Sequence, residues 1–290
     1  MFYLIISIII TITIISAWVY HVRLQRHQLN SRFNQIIGLR QLIHLLRFHR
    51  RQTHHQLCNA PHAHLYQPAL AESMAIQSLI RSLLSQAEHN NKPMYRLLMQ
   101  QISKLLDEWP HYSIQRNQTI HGKTIRHVLY LIDDTITQTL IAADKDTIFK
   151  QYQSVWPITL NAIDSLSRFR YTIHYYSNHS DKDIMERELN LHLKILHRRL
   201  KQIAIPYTEV IELQILEELT AQFNQIDLRH PETIKVESEL YLFSLQVSDV
   251  LFQFYDHVLS EIGRELSIKM PAVTMHEEQE GKKVIHLLTR

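Results

Sequence analysis

Arg50 is the side chain whose position asks most of the fold. It lies on the stripe Ile36, Leu39, Ile43, Leu46, Arg50, Thr53 and Leu57, whose steps of three and four mark the apolar face of a helix. A buried guanidinium stays protonated and needs an anionic or hydrogen-bonding partner. Its own helix offers no carboxylate, because the first acid in the chain is Glu72, and Arg47 and Arg51 add charge within one turn. Two other segments bring arginine to an apolar stripe. In His121-Gly122-Lys123-Thr124-Ile125-Arg126-His127, Gly122 opens a seam continued by Ile125, Leu129, Ile132, Ile136 and Leu140, with Arg126 one turn on. In Arg168-Phe169-Arg170, Arg170 borders the stripe of Leu166, Phe169, Ile173 and Tyr176. Planar, bidentate guanidinium suits a small planar oxyanion, and several such groups around one cavity without carboxylates form an anion pocket. The competing reading gives each arginine an ordinary salt bridge or a route to water, and makes Gly122 a helix-packing residue.

Other chemistries are poorly represented. The chain has no Gly-rich phosphate loop, no GxSxG elbow and no nucleophile set beside a base, so no catalytic residue and no cofactor is assigned. Asp133 and Asp134 are adjacent, and neighbouring helical residues diverge by about 100 degrees, too far to face one substrate. Twenty histidines include the cluster His44, His49, His54, His55, His62 and His64, but HExxH or paired-Cys spacing is absent and no metal site is assigned. Cys58 is the only cysteine, which excludes an intramolecular disulfide and fits a reducing compartment.

The elements that must position these arginines are helices. Four glycines and eight prolines in 290 residues leave little for the tight turns of an all-β chain. Phe2 to Tyr20 contains neither charge nor proline, and at 1.5 Å per residue it just covers a hydrocarbon core of about 30 Å. Trp18 and Tyr20 sit at headgroup level, and Arg23, Arg26 and Arg32 follow, so the positive-inside rule puts the rest of the chain in the cytoplasm. Residues 1–24 are therefore expected to be a single-pass inner-membrane anchor with its juxtamembrane segment. The formal charge of +3 divides into +7 over residues 1–71 and −4 over the remainder. A basic excess confined to the membrane-proximal arm argues against nucleic acid as a partner. That arm, with its histidines, could instead touch anionic lipid.

Helical periodicity predicts a first helix running from the membrane to about residue 56, then helices over about 69–88, 93–108 and 115–141. Another spans 144–177, with a kink or break expected one turn before Pro157. The stretch 177–183 reads as a linker with Ser180 or Asp181 as N-cap. A helix with the seam Leu189, Leu193, Leu196, Leu200 and Ile203 follows and stops at Pro206, helices at about 207–226 and 232–267 come next, and 269–290 is expected to be a mobile tail. The natural packing is a double four-helix bundle over residues 25–268, divided into about 25–178 and 179–268 with long helices shared.

LRQLIHLLRFHRRQTHHQL resembles the first helix of the nitrate- and nitrite-sensing (NIT) domain family, and HGKTIRHVLYLIDD and WPITLNAIDSLSRFRYTI are similar to its later helices. The similarity covers about residues 33–265. It implies a double four-helix bundle that binds nitrate or nitrite through arginines between helices and passes the change to an output. On that resemblance Arg50 and Arg51 match the arginine pair of the first helix, and Arg126 and Arg170 are candidates for the remaining anion ligands. FHRRQTHH replaces the acidic residue and glycine that the family often has around its arginine, and no effector domain follows. The expectation is a membrane-anchored sensor of a small oxyanion that is not an enzyme and acts on an unidentified downstream protein, with a second copy of the chain as a further candidate partner in a homodimer. The alternative is a membrane-anchored helical scaffold for protein partners, without a small ligand.

Overall fold

The computed structural model describes residues 2–58, 70–176, 182–204 and 233–268, together with residues 218 and 221. Among the described residues the architecture is all-α, a helical bundle without strands. The α-helices are α1 (Phe2–Cys58), α2 (Leu70–Gln86), α3 (Lys92–Glu108), α4 (Ile114–Ala142), α5 (Asp146–Tyr176), α6 (Lys182–Ala204) and α7 (Thr233–Glu265). A 3-10 turn, Trp109–His111, closes α3 at the expected Trp-Pro step. The expected helix at 207–226, the linker N-cap and the C-terminal tail fall outside the described residues, as does the loop after Cys58.

Local chemistry sets the boundaries. Pro93 stands in the first turn of α3, where its missing N–H removes nothing the helix would use. Ser113 caps α4, its extended backbone letting the hydroxyl accept from the Arg116 N–H at 3.2 Å. After α4 the chain turns through Asp144 at φ 53°, a left-handed conformation that Asp tolerates better than most residues. Helix α5 passes through Pro157 without the expected break. Pro157 and Gln153 are both exposed, so the carbonyl that the proline leaves unbonded can be solvated. Buried Val155, Trp156 and Thr159 hold the flanking turns in place.

The packing forms two rings with a common wall. In the first, α1 packs on α2 and α4, and α3 joins α2 to α4. In the second, α4 packs on α5 and α5 on α7, while α7 reaches back to α1 through long side chains such as Arg47 and Asp249. Helices α1 and α4 belong to both rings. Helix α6 lies on the outside of α5, burying Leu189, Leu193, Leu196 and Leu200. One apolar cluster runs from Phe33 on α1 to Leu266 after α7, so the core does not divide at residue 178. Helix α5 lies before that boundary yet packs on α6 and α7 beyond it.

Phe33 is the first fully buried residue, and α1 projects from the bundle on its N-terminal side. Ile6, Ile9, Ile10, Ile12, Ile14, Ile15, Trp18 and Tyr20 are all exposed there. Counted over the described residues alone, no helix is long and apolar enough to cross a membrane. The side chains of Phe2, Leu4, Ile5 and Ile8 are outside that set, and they complete the uncharged run read from the sequence.

Between Gly38 and Gly122, Gly38 is the close contact. A Cβ at Gly38 would meet Leu83 Cδ2 of α2 at 2.7 Å, whereas one at Gly122 would meet only Ser167 Oγ at 3.8 Å. Gly38→Val is therefore expected to overpack the α1–α2 contact and cost about 1–3 kcal/mol. Gly122→Ala is expected to be neutral or to gain up to about 1 kcal/mol from helix propensity. Denaturant unfolding of the two variants checks the contrast, which would fail if Gly122→Ala were the more damaging.

Candidate functional site

The second ring encloses the polar centre of the molecule. Helix α1 supplies Arg40, His44, Arg47, Arg50 and Arg51, and α7 supplies the acids that answer some of them. Arg40 and Arg47 are seven residues apart, as are Asp249 and Asp256, so each pair repeats after two turns on one helix face. The pairing is antiparallel, Arg40 with Asp256 and Arg47 with Asp249. His44 Nε2 adds a contact to Asp256 at 3.4 Å, and Arg51 lies 3.7 Å from Asp249. Arg47 also stacks its guanidinium 4.3 Å from the centre of the Phe252 ring. Burial opposes ionisation of Asp256, but hydrogen bonds from His44 and Arg40, with their charge, hold its carboxyl below the usual range.

Arg50 is left over. It is 5% exposed, forms no ion pair among the described residues, and its buried Nε has no hydrogen-bond partner. Burial lowers its pKa to about 10; Tyr241 opposes that shift, Arg47 and Arg51 add to it, and Asp249 opposes it. It therefore remains a cation at neutral pH. Across the ring, Arg170 of α5 is equally buried and forms no ion pair with an acid among the described residues. Its Nε donates to Ser244 Oγ at 2.9 Å and its Nη2 to the Ser244 carbonyl at 2.7 Å, which anchors the fork on α7. Burial holds the Arg170 pKa well below its ordinary value, and Arg50 is the leading charge acting in the same direction. The Nε atoms of Arg47 and Arg51 are likewise buried without partners. Among the described residues Asp249 is the carboxylate that touches this group of four arginines, and it does so through Arg47 and Arg51.

Helix α4 closes the ring with neutral groups. His121 Nδ1 lies 2.8 Å from the Asn117 carbonyl and must carry the proton, which leaves Nε2 as an acceptor. His49 Nδ1, 2.9 Å away, then donates to it. Asn117 Nδ2 donates to Thr53 Oγ1 at 3.0 Å, and Thr53 donates to the His49 carbonyl at 2.8 Å. These bonds tie α1 to α4 one turn from Arg50. Burial lowers His49 to about 4; it also holds His121 well below the usual imidazole range, with His49 and Arg50 adding to that shift and the Asn117 carbonyl opposing it. On the α7 side the His54 ring stacks on Tyr241 with centroids 3.7 Å apart, and Gln118 Nε2 sits 3.0 Å from His54 Nδ1.

Of the four arginines singled out from sequence, Arg50, Arg51 and Arg170 converge here and Arg126 does not. Arg126 is half-exposed and ion-paired with Asp164, on a groove of about 360 Å³ that it shares with Gly122, Ser167 and Arg168. Sequence reading gave no role to His49, His121, Tyr241, Ser244 or Asp249. One signal was available, the matched seven-residue spacing of arginines on α1 and aspartates on α7. Metal chemistry finds no support among the described residues, which gather no group of three or more His, Cys, Asp or Glu that could hold an ion. Cys58 is exposed and lies 3.6 Å from His54 Nε2 in an i,i+4 pair.

The buried histidines make stability depend on pH. Each has a folded pKa below its unfolded value of 6.5, so between 6.5 and about 4 the unfolded chain binds more protons than the folded one. Stability is present in full above that window and falls as pH drops through it, by up to about 1.4 kcal/mol per unit per histidine. Thermal melts from pH 7 to 4.5 should show this loss, and the double variant His49→Gln/His121→Gln should flatten the slope. An unchanged slope would mean that other groups dominate.

Compared with known proteins, the chain finds no match to any family model, to a curated protein or to a solved structure.

Proposed function

We propose that this chain is a membrane-anchored sensor whose second ring binds a small planar oxyanion, nitrate or nitrite. The observation that carries the reading is Arg50, a buried cation that forms no ion pair among the described residues and whose Nε has no hydrogen-bond partner, facing Arg170, whose partner is a serine rather than an acid. Retaining an unpaired buried charge costs several kcal/mol, a cost that a bound anion would offset. The resemblance to the NIT family supports the same ligand and a double four-helix bundle fold. Arg50, Arg170 and Arg51 are the proposed anion ligands, and Arg126 would act from outside the cluster if at all. Binding neutralises charge between α1, α5 and α7 and alters their packing, which passes to a downstream protein along α1 or α7. A homodimer would give the same device two copies.

The anchor is part of the proposal. Residues 2–20 would span the inner membrane and leave the bundle in the cytoplasm, a reading supported by the uncharged run, the exposed isoleucines and the continuity of α1. The expressed chain should then stay in the membrane fraction after an alkaline wash and leave it only in detergent. Release by the wash alone would count against a span.

The scaffold reading keeps one observation in its favour, the pairing of Arg126, Arg47 and Arg51 with acids. Thermal unfolding of the full chain in detergent separates the two. Nitrate or nitrite at a hundredfold excess over its dissociation constant should stabilise the chain by about 2.7 kcal/mol, and chloride and sulfate at matched ionic strength should not. Arg50→Met should abolish the shift while raising stability without anion, because it removes an unpaired buried charge. If neither oxyanion gives a selective shift, the scaffold reading stands.

A further inference from the structure

Asp249 has a second role if the anion reading holds. Arg47, Arg50, Arg51 and Arg170 bring four positive charges into one buried region, and Asp249 is the carboxylate in contact with them. It belongs to α7, binds Arg47, lies 3.7 Å from Arg51, and has its own side chain 39% exposed at the edge of the cluster. The Nε atoms of Arg47, Arg50 and Arg51 have no partners, so this one acid leaves much of the donor capacity unused. Helices α1 and α7 meet through such long side chains rather than by close backbone approach. Two turns further along, the Asp256 pair with Arg40 and His44 is separate from the cluster.

We propose that Asp249 is an internal competitor for the oxyanion, occupying the outer part of the arginine cluster until the ligand replaces it and frees this part of α7 from α1. The inference rests on the function proposed above and adds the element that moves. In the free state the carboxylate answers part of the cluster's charge and clamps the middle of α7 to α1. A bound oxyanion takes over Arg51 and the unpaired donors, and its negative charge repels Asp249. The clamp opens at Asp249 while Asp256 keeps the lower turns together. Ligand occupancy is thereby converted into a local loosening of α7, which no contact inside the first ring could produce.

Calorimetric titration of the full chain in detergent with sodium nitrate and sodium nitrite tests this, with chloride as control. Asp249→Asn should bind the oxyanion about tenfold more tightly than the parent, since it removes one opposing charge at close range. It should also melt lower than the parent without anion and gain more from nitrate. Glu261→Gln removes the same charge from an exposed site on α7 and should leave affinity unchanged. Hydrogen–deuterium exchange on the parent gives a second measurement should the variant fold poorly. Nitrate should speed exchange around residues 246–252 while slowing it around Arg50. Unchanged or weaker binding by Asp249→Asn, or slower exchange throughout α7, would overturn this inference and leave anion sensing intact. Absence of nitrate and nitrite binding to parent and variant alike would overturn both.

Discussion

The fold is organised around a shortage of negative charge. Seven arginines precede the first carboxylate of the chain, and four of them, Arg40, Arg47, Arg50 and Arg51, lie on the part of α1 that enters the bundle. Nothing on α1 can neutralise them, so their partners must come from helices distant in sequence. Asp249 and Asp256 of α7 answer Arg40, Arg47 and, at longer range, Arg51. Arg50 forms no ion pair among the described residues, and Arg170, brought in by α5, adds a further cation held by Ser244. An unpaired buried charge costs several kcal/mol against a net stability of about 5–15 kcal/mol for a typical domain. It persists because the apolar cluster shared by both rings is extensive.

The surroundings of that charge fit an electropositive interior of low dielectric. His49 and His121 would each add another cation if protonated; burial keeps them neutral, and one proton per ring satisfies the path from His49 to the Asn117 carbonyl. The same bonds fix α1 against α4, the two helices common to both rings. Helix α7 is held differently, by ion pairs and a cation–ring contact across to α1. Apolar packing is insensitive to a small ion, whereas a contact made of charge responds to one directly. The wall between the rings is thus stiff, and the outer helix opposite it is the part most exposed to a change in charge.

The helices themselves were legible in the sequence, because apolar residues at steps of three and four report the buried face without regard to what lies opposite. Arg50 was legible for the same reason, as a charge on that face, and it is buried as the stripe implied. What lies opposite was not. The environment of Arg126 depended on Asp164, which comes from another helix, and the acid turned a candidate ligand into a half-exposed ion pair. Gly122 looked like a close approach because it began an apolar seam, yet α4 turns His121 inward beside it and the tight glycine is Gly38. Pro157 implied a kink or break, and the exposure of the Gln153 turn explains why α5 continues unbroken. Each of these depends on distances between helices, which periodicity along one helix does not encode.

The most direct test of the account is a crystal structure of the full chain grown with millimolar nitrate. The account predicts flat, three-cornered density in the second ring, within hydrogen-bonding distance of the guanidinium groups of Arg50 and Arg170. Arg50 ordered against a carboxylate of the protein, with no density beside it, would contradict the claim that this arginine is kept for an anion.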